Sequence, residues 1–144
     1  MWIWNKIRWG LLIGWFAFGM IIHGQSFYSR QVTTDDGLPS NTIRSICRPQ
    51  GGYTWIGTDG GVVRWDGQRT VFSKKQGLPS NKVYALAEGN AGDMWVGTYG
   101  GGLCLMRGDK VIRVFTSHDG LASNYLSALY YSRSQEQLFV GTRQ

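Results

Sequence analysis

The chain has 144 residues, of which 42% are hydrophobic and only 17% are charged, a balance that excludes an intrinsically disordered protein and permits a domain with a buried core. Its formal net charge is +6, but the basic residues are scattered singly or in pairs, and without a basic stripe nucleic-acid binding is not expected. The 21 glycines, seven tryptophans and seven tyrosines indicate tight turns and short aromatic strands, which are typical of all-β proteins.

Residues 1–24 have the pattern of a signal peptide. Lys6 and Arg8 precede an uncharged apolar run from Trp9 to Ile22, and Gly24 offers a small residue for cleavage. A helix that spans a bilayer needs about 20 apolar residues, so this run is short for a membrane anchor. We therefore expect cleavage after Gly24 and export to the periplasm, with an uncleaved anchor as the alternative.

Two short motifs recur in step along the remainder of the chain. The motif Gly-Leu-Pro-Ser-Asn, with alanine for proline in the third copy, begins at residues 37, 77 and 120. The motif Trp-Ile-Gly-Thr, or a close variant of it, begins at residues 55, 95 and 139. Because the two motifs stay in phase across three copies, they indicate a structural repeat of 40 to 43 residues.

Each copy contains the pattern of four short strands. The first strand follows Ser-Asn and is predicted over residues 42–48, 82–88 and 125–131. The second carries the Gly-Thr motif, the third follows a glycine-rich turn, and the fourth ends at Phe72 or Phe115. Asp66-Gly67 and Gly108-Asp109 are predicted hairpin turns. Four antiparallel strands in about 40 residues form one blade of a β-propeller.

The sequence therefore predicts an all-β partial β-propeller of about two and a half four-stranded antiparallel blades, extending over residues 25–144. Its parts are an orphan outer strand (29–36), repeat one (37–76), repeat two (77–119) and a truncated repeat three (120–144). Because propellers close with about four to eight blades, we expect the chain to be an N-terminal fragment of a longer protein.

The two cysteines, Cys47 and Cys104, fall at different positions of the repeat. We therefore expect two buried small side chains rather than a disulfide. No zinc-type spacing of cysteine and histidine is present, and no metal or other cofactor is expected.

The composite of both motifs resembles the two-component regulator propeller repeat over residues 35–144. The third copy departs from the pattern, because Ala122 replaces proline and Phe139 replaces tryptophan. The resemblance implies the N-terminal fragment of a periplasmic sensor of the hybrid two-component histidine kinase type. In that family, the propellers precede an inner-membrane helix and a cytoplasmic kinase, and many members sense oligosaccharides. For this fragment, the resemblance implies a non-enzymatic sensor whose parent is anchored in the membrane as a homodimer.

The residue after each Gly-Thr motif changes from copy to copy on an otherwise constant loop, and it is Asp59, Tyr99 and Arg143 in turn. We expect these three side chains to bind a small molecule or oligosaccharide by hydrogen bonding and ring stacking, with ordinary exposed turn residues as the alternative. Asn41 and Asn81 are secondary ligand-binding candidates, and their alternative role is to bond the backbone of their own turns.

Two other classes of function remain open at this stage. A secreted glycan-active propeller enzyme is one, although Arg48 and Gln50 stand where a sialidase-type turn has serine and aspartate, and no carboxylate pair suits acid–base catalysis. A protein-interaction platform is the other, and it would present a contiguous exposed apolar patch.

Overall fold

Ten β-strands form three antiparallel sheets in the computed structural model, which describes residues 29–49 and 52–143. The first sheet contains β1 (Ile43–Cys47), β2 (Thr54–Thr58), β3 (Gly61–Trp65) and β4 (Arg69–Phe72). The second contains β5 (Val83–Glu88), β6 (Asp93–Thr98), β7 (Gly102–Arg107) and β8 (Lys110–Phe115). The third contains β9 (Leu126–Ser132) and β10 (Gln137–Thr142).

Every strand pairs with the next strand along the chain, so each sheet is a simple meander. Two four-stranded blades and a two-stranded third sheet confirm the predicted all-β partial propeller. The predicted signal peptide lies outside the described residues. Within the part of the chain that the structure describes, no helix is long and apolar enough to cross a membrane.

The predicted orphan strand over residues 29–36 is not present. Thr34–Asp36 form a 3-10 helix, and residues 29–33 belong to none of the three sheets of the described residues. A β-strand requires a hydrogen-bonding partner, and none of the described sheets offers its edge to this segment. The segment is instead held by its apolar side chain, because Val32 packs on the cluster of Leu38, Ile56 and Val63.

The blades stack through their first strands. Strand β5 packs against β1 and β2 of the first blade, and β9 packs against β5 and β6 of the second. The glycine of the Trp-Ile-Gly-Thr motif lies at this contact, since a Cβ on Gly57 would be 2.8 Å from Val83 Cγ1. A Cβ on Gly97 would likewise be 3.3 Å from Leu126 Cδ2. The motif glycine therefore permits the first strand of the next blade to approach closely.

The apolar core lies between the first and second blades. Its buried members are Trp55, Val62, Phe72, Leu78, Val83, Leu86, Met94, Val96, Cys104 and Met106. The Trp55 and Phe72 rings stack with their centroids 5.9 Å apart. Cys47 and Cys104 are both free thiols; Cys104 is buried as predicted, whereas Cys47 is only half-buried. Burial raises the pKa of Cys104 to about 12.

A 3-10 helix begins each connection that leads into the first strand of a blade. These helices are Thr34–Asp36, Lys74–Gln76 and Ser117–Asp119, and each ends at the glycine of Gly-Leu-Pro-Ser-Asn. That glycine has φ between +94° and +102° in all three copies, a conformation that favours glycine. The recurring glycine is therefore needed to turn the chain from one blade into the next.

The β2–β3 and β6–β7 turns lie at the same end of the blades as these connections. A Cβ on Gly60 would be 2.3 Å from the Pro39 carbonyl oxygen, and one on Gly101 would be 2.9 Å from that of Pro79. We call this end the connection face, and the end with the β1–β2, β3–β4, β5–β6 and β7–β8 turns the opposite face. Both loop types therefore share one end of the blades.

Leu86→Ala should destabilise the chain much more than Ile46→Ala, although both residues occupy the same repeat position. Leu86 is 8% exposed between blades, whereas Ile46 is 65% exposed on the free side of the first blade. We expect Leu86→Ala to lower the free energy of unfolding by about 2 kcal/mol or more, because it leaves a cavity. Ile46→Ala should change it by less than about 0.5 kcal/mol. Urea unfolding followed by tryptophan fluorescence would measure both, and equal losses would contradict the stacking described here.

Candidate ligand-binding site

The three residues after the Gly-Thr motifs are held in the same way in successive blades. The backbone N–H groups of Asp59, Tyr99 and Arg143 donate to the carbonyl oxygens at the start of the corresponding first strands. The three N···O distances are 3.3, 2.8 and 2.7 Å, and the acceptors are Thr42, Lys82 and Tyr125. These side chains therefore begin from equivalent points on the connection face.

Aromatic rings from the second blade and the start of the third lie in contact on this face. The Tyr84 and Tyr99 rings stack with centroids 4.9 Å apart and an interplanar angle of 24°. The Tyr99 and Tyr125 rings meet edge to face, with their centroids 4.8 Å apart and an interplanar angle of 68°. The Arg44 guanidinium of the first blade lies 4.7 Å from the centre of the Tyr84 ring. We call Arg44, Tyr84, Tyr99 and Tyr125 the aromatic row.

At the first-blade end of the aromatic row, Asp59 forms an ion pair with Arg44, and the positive charge of Lys82 also acts on Asp59. Arg44 donates from Nε and Nη2 to the two carboxylate oxygens of Asp59, each at 2.9 Å. These hydrogen bonds, together with the positive charge of Arg44, hold the pKa of Asp59 below its usual value and raise that of Arg44. Both oxygens of Asp59 thus accept from Arg44, and the Asp59 side chain remains 28% exposed.

The third-blade end of the aromatic row offers a charge that is not compensated. The Arg143 side chain is exposed and makes no hydrogen bond or ion pair with the other described residues. Its backbone is bonded to Tyr125, whose ring is 47% exposed. The Arg143 guanidinium is therefore available to donate to an acceptor group on a molecule that lies against Tyr125.

The structure links the predicted site residues to the aromatic row in three different ways. Tyr99 is part of the row, Asp59 reaches it through Arg44, and Arg143 is joined by its backbone to Tyr125. No direct contact joins Asp59, Tyr99 and Arg143 among the described residues. Ligand binding by these residues stays a prediction.

Sequence reasoning missed Arg44, Tyr84 and Tyr125. Arg44 and Tyr84 occupy the same position of the first strand, directly after an apolar residue, and the third copy has Ser127 there. This position varies in chemical type as the position after Gly-Thr does. The criterion that found Asp59 and Tyr99 would have found Arg44 and Tyr84 had it been applied to the strand as well as to the loop.

The asparagines of the repeat accept hydrogen bonds from the backbone. Asn41 Oδ1 accepts from the Thr34 N–H at 2.8 Å, and Asn81 Oδ1 accepts from the Lys74 N–H at 2.8 Å. Asn124 makes the same bond to Ser117 at 2.7 Å. Each asparagine thus ties the end of a connection to the first residue of its 3-10 helix. This arrangement favours the structural alternative for Asn41 and Asn81 over a ligand-binding role.

The aromatic row is suited to binding by contact and hydrogen bonding. Tyr84 and Tyr99 stack on each other, whereas Tyr125 is 47% exposed, and its aromatic surface and hydroxyl group can contact the apolar face and the polar edge of a ring-shaped molecule. In the part of the chain that the structure describes, no group of three or more histidine, cysteine, aspartate or glutamate residues could hold a metal ion.

Radially stacked four-stranded meanders with side chains collected at one end define the chain as a sector of a β-propeller. Residues 37–60 and 77–100 match the family described as two component regulator propeller. Both matched segments begin at the first residue of a Gly-Leu-Pro-Ser-Asn motif. No curated protein is detectably similar to this chain.

Solved extracellular domains from B. thetaiotaomicron have the same fold. That of BT3049, a candidate hybrid two component system, is 27% identical with a TM-score of 0.61, over 69% of this chain and 14% of that one. Two structures of the extracellular domain of BT4673, described as a candidate one component system and as a candidate hybrid two component system, are 21% and 22% identical. Their TM-scores are 0.62 and 0.60, over 74% and 72% of this chain and 16% of each of those chains. The chain thus spans about a seventh of the domains that it matches.

Arg44→Gln should raise the pKa of Asp59 toward its usual value and leave that of Asp93 unchanged. Arg107 lowers the pKa of Asp93 by donating to its two oxygens at 2.7 and 2.9 Å, so Asp93 is a matched control in the same molecule. A depressed carboxylate pKa stabilises the fold above the usual pKa of aspartate, and this contribution is lost as the pH falls through the depressed value. Carbon-detected NMR titration would measure both carboxylates, and an unchanged Asp59 in the variant would show that Arg44 does not set its pKa.

Asn81→Ala should lower the free energy of unfolding by about 1 kcal/mol, because the Lys74 N–H loses its acceptor. Asn81→Asp keeps an acceptor oxygen at the same position and should retain most of the stability. Chemical denaturation of the two variants would check this, and an equal loss of unfolding free energy in both would show that the acceptor oxygen does not account for the stability.

Proposed function

We propose that this chain is part of the extracytoplasmic ligand-sensing domain of a two-component signal-transduction protein, which relays binding to a cytoplasmic histidine kinase. Two copies of the two component regulator propeller repeat and the likeness to extracellular domains support this proposal. The signal-peptide pattern of residues 1–24 supports export to the periplasm. Because the chain matches only a small part of each solved domain, the activity of the whole protein, its membrane anchor and its homodimerisation belong to the proposal.

The aromatic row is the observation that carries the ligand-binding part of the proposal. Tyr84 and Tyr99 come from the second blade, Tyr125 leads into the third, and Arg44 belongs to the first. A molecule bound along the row would therefore contact several blades at once. A ligand shifts a conformational equilibrium only if it binds one state better, and contacts to several blades allow it to distinguish between their relative positions.

The charges along the row indicate what kind of ligand would fit. Asp59 forms an ion pair with Arg44, so neither of these two side chains offers an uncompensated charge. The partly exposed Tyr125 ring suits the apolar face of a pyranose ring, and the tyrosine hydroxyl groups suit sugar hydroxyls. Arg143 would donate to an acceptor at the third-blade end. We therefore propose an oligosaccharide as the ligand.

Tyr125→Ala and Arg143→Ala should each weaken oligosaccharide binding by about tenfold, which corresponds to about 1.4 kcal/mol. Tyr125 provides an exposed ring, and Arg143 provides the uncompensated donor. Calorimetric titration of a panel of neutral oligosaccharides against the chain would measure the effect. Tyr130→Ala is the matched control, because Tyr130 is also an exposed tyrosine but lies in the middle of β9 against Phe139, outside the row.

The outcomes separate the site from the ligand class. Binding that survives both substitutions would place the ligand elsewhere on the protein. The absence of binding to every oligosaccharide would reject the ligand class, and the same titration with the complete extracellular domain would show whether further blades are required. Equal weakening by Tyr130→Ala would show that aromatic exposure in general, and not the row, explains the binding.

A further inference from the structure

Each contact between sheets within the chain joins two unlike surfaces. The later blade contributes apolar residues of its first strand, which are Val83 and Leu86 in the second blade. The earlier blade contributes the tryptophan and the glycine of its Trp-Ile-Gly-Thr motif. Trp55 shares a buried cluster with Val83 and Leu86. A Cβ on Gly57 would be 2.8 Å from Val83 Cγ1, and Leu126 of the third sheet lies in the same way at the motif glycine of the second blade.

The first blade carries one of these two surfaces without a partner among the described residues. Ile43 and Ile46 occupy the repeat positions of Val83 and Leu86. Both isoleucines are exposed, whereas Val83 and Leu86 are buried. We call Ile43 and Ile46 the docking surface, because their counterparts dock the second blade on the first.

The third sheet carries the other surface, which is also uncovered in the part of the chain that the structure describes. Phe139 and Gly141 occupy the tryptophan and glycine positions of the motif. Phe139 is 51% exposed, whereas Trp55 is 5% exposed. Ala128 and Tyr130 lie beside them, and together these residues line a shallow depression of about 280 Å³. We call Ala128, Tyr130, Phe139 and Gly141 the receiving surface.

The segment before the first blade adds an outer part to the docking surface. Val32 and Phe72 each lie five residues before the glycine of a Gly-Leu-Pro-Ser-Asn motif. Phe72 ends the outer strand of the first blade and packs in the cluster between the first and second blades. Val32 packs on the corresponding cluster of the first blade, and so stands where the outer strand of a preceding sheet would end. The third sheet leaves that outer place open, since it consists of β9 and β10 among the described residues.

A second copy of this chain fits both surfaces, because each copy carries the partner that the other lacks. Seven large apolar side chains are exposed in the described part of the chain, and four of them, Ile43, Ile46, Tyr130 and Phe139, lie on these two surfaces. Neither surface contains a charged residue, so their contact would bury no unpaired charge. Contacts between unlike surfaces close into a ring when the rotation allows it. Two copies would supply six sheets, which is within the range of about four to eight in closed propellers.

We propose that two copies of this chain associate head to tail into a ring of six sheets, with the docking surface of each copy on the receiving surface of the other. Ile43 lies against Gly141, as Val83 lies against Gly57 within the chain. Ile46 lies against Tyr130 and Phe139. The proposal does not depend on ligand binding, because neither surface includes a residue of the aromatic row. The single chain, in which Ile46 is exposed, is the species at low concentration.

Sedimentation equilibrium of the chain, over about a hundredfold range of concentration, tests the proposal. We expect the mass to rise from that of one chain to that of two. Ile46→Lys and Phe139→Glu should each raise the dissociation constant of the dimer at least about tenfold, because each buries a charge without a partner. Ile112→Lys is the matched control and should leave the constant unchanged, because Ile112 is an exposed isoleucine in the outer strand of the second blade, outside both surfaces.

An equimolar mixture of Ile46→Lys and Phe139→Glu tests the head-to-tail arrangement itself. One contact of the mixed dimer joins two unchanged surfaces, and the other places the lysine against the glutamate. We therefore expect the mixture to form dimers at concentrations where neither variant does so alone, which would also show that both variants are folded.

Three outcomes would overturn the proposal. A chain that stays monomeric at every concentration would leave a further repeat of a longer chain as the occupant of the receiving surface. A dimer that both substitutions leave unchanged would be held together by other residues. A mixture that stays monomeric would exclude the contact between unlike surfaces.

Discussion

The close approach of each first strand to the preceding sheet is the contact on which the rest of the structure depends. Gly57 lies where Val83 contacts the first blade, and Gly97 lies where Leu126 contacts the second. A bridging hydrogen bond from the Leu86 N–H to Ser45 Oγ, at 3.2 Å, reinforces the same contact. With the spacing between sheets set in this way, Leu86 and Met94 become buried, and side chains from neighbouring blades meet at both ends.

The contacts at the two ends of the blades both follow from this stacking, but they depend on it differently. On the connection face, the recurring backbone bond at Asp59, Tyr99 and Arg143 presents unlike side chains at equivalent points, and the row forms because Tyr84 and Tyr125 stand next to Tyr99. On the opposite face, Arg64 of the first blade donates to Asp109 of the second. The contacts on the connection face thus depend on the repeat, and the ion pair on the opposite face depends on a departure from it, because Leu105 takes the place of Arg64 in the second blade.

Much of the fold was predictable because the repeat fixes backbone features. The glycine with positive φ in each connection and the motif glycine at each blade contact recur in the sequence, so two phased motifs were sufficient to locate the strands. Contacts across blades were not predictable in the same way. The pairing of Arg44 with Asp59 and its position over Tyr84 depend on the distance between blades and on side-chain direction, which a linear pattern does not contain. The segment over residues 29–36 was predicted as a strand from its place before the first Gly-Leu motif, but residues 34–36 form a 3-10 helix, and that place does not supply residues 29–33 with a strand partner.

The two ends of the described stack show how strongly the repeat pattern is adapted to neighbours. Ile46 corresponds to the buried Leu86, and Phe139 corresponds to the tryptophan of the first two copies, yet both side chains are largely exposed. Their apolar character therefore follows the position in the repeat. The connection face shows the converse, because Arg44, Tyr84 and Ser127 share one position of the first strand while the backbone bond at the start of that strand recurs in every copy. A ligand on the row would thus meet a surface whose chemistry changes from blade to blade while its backbone geometry stays constant.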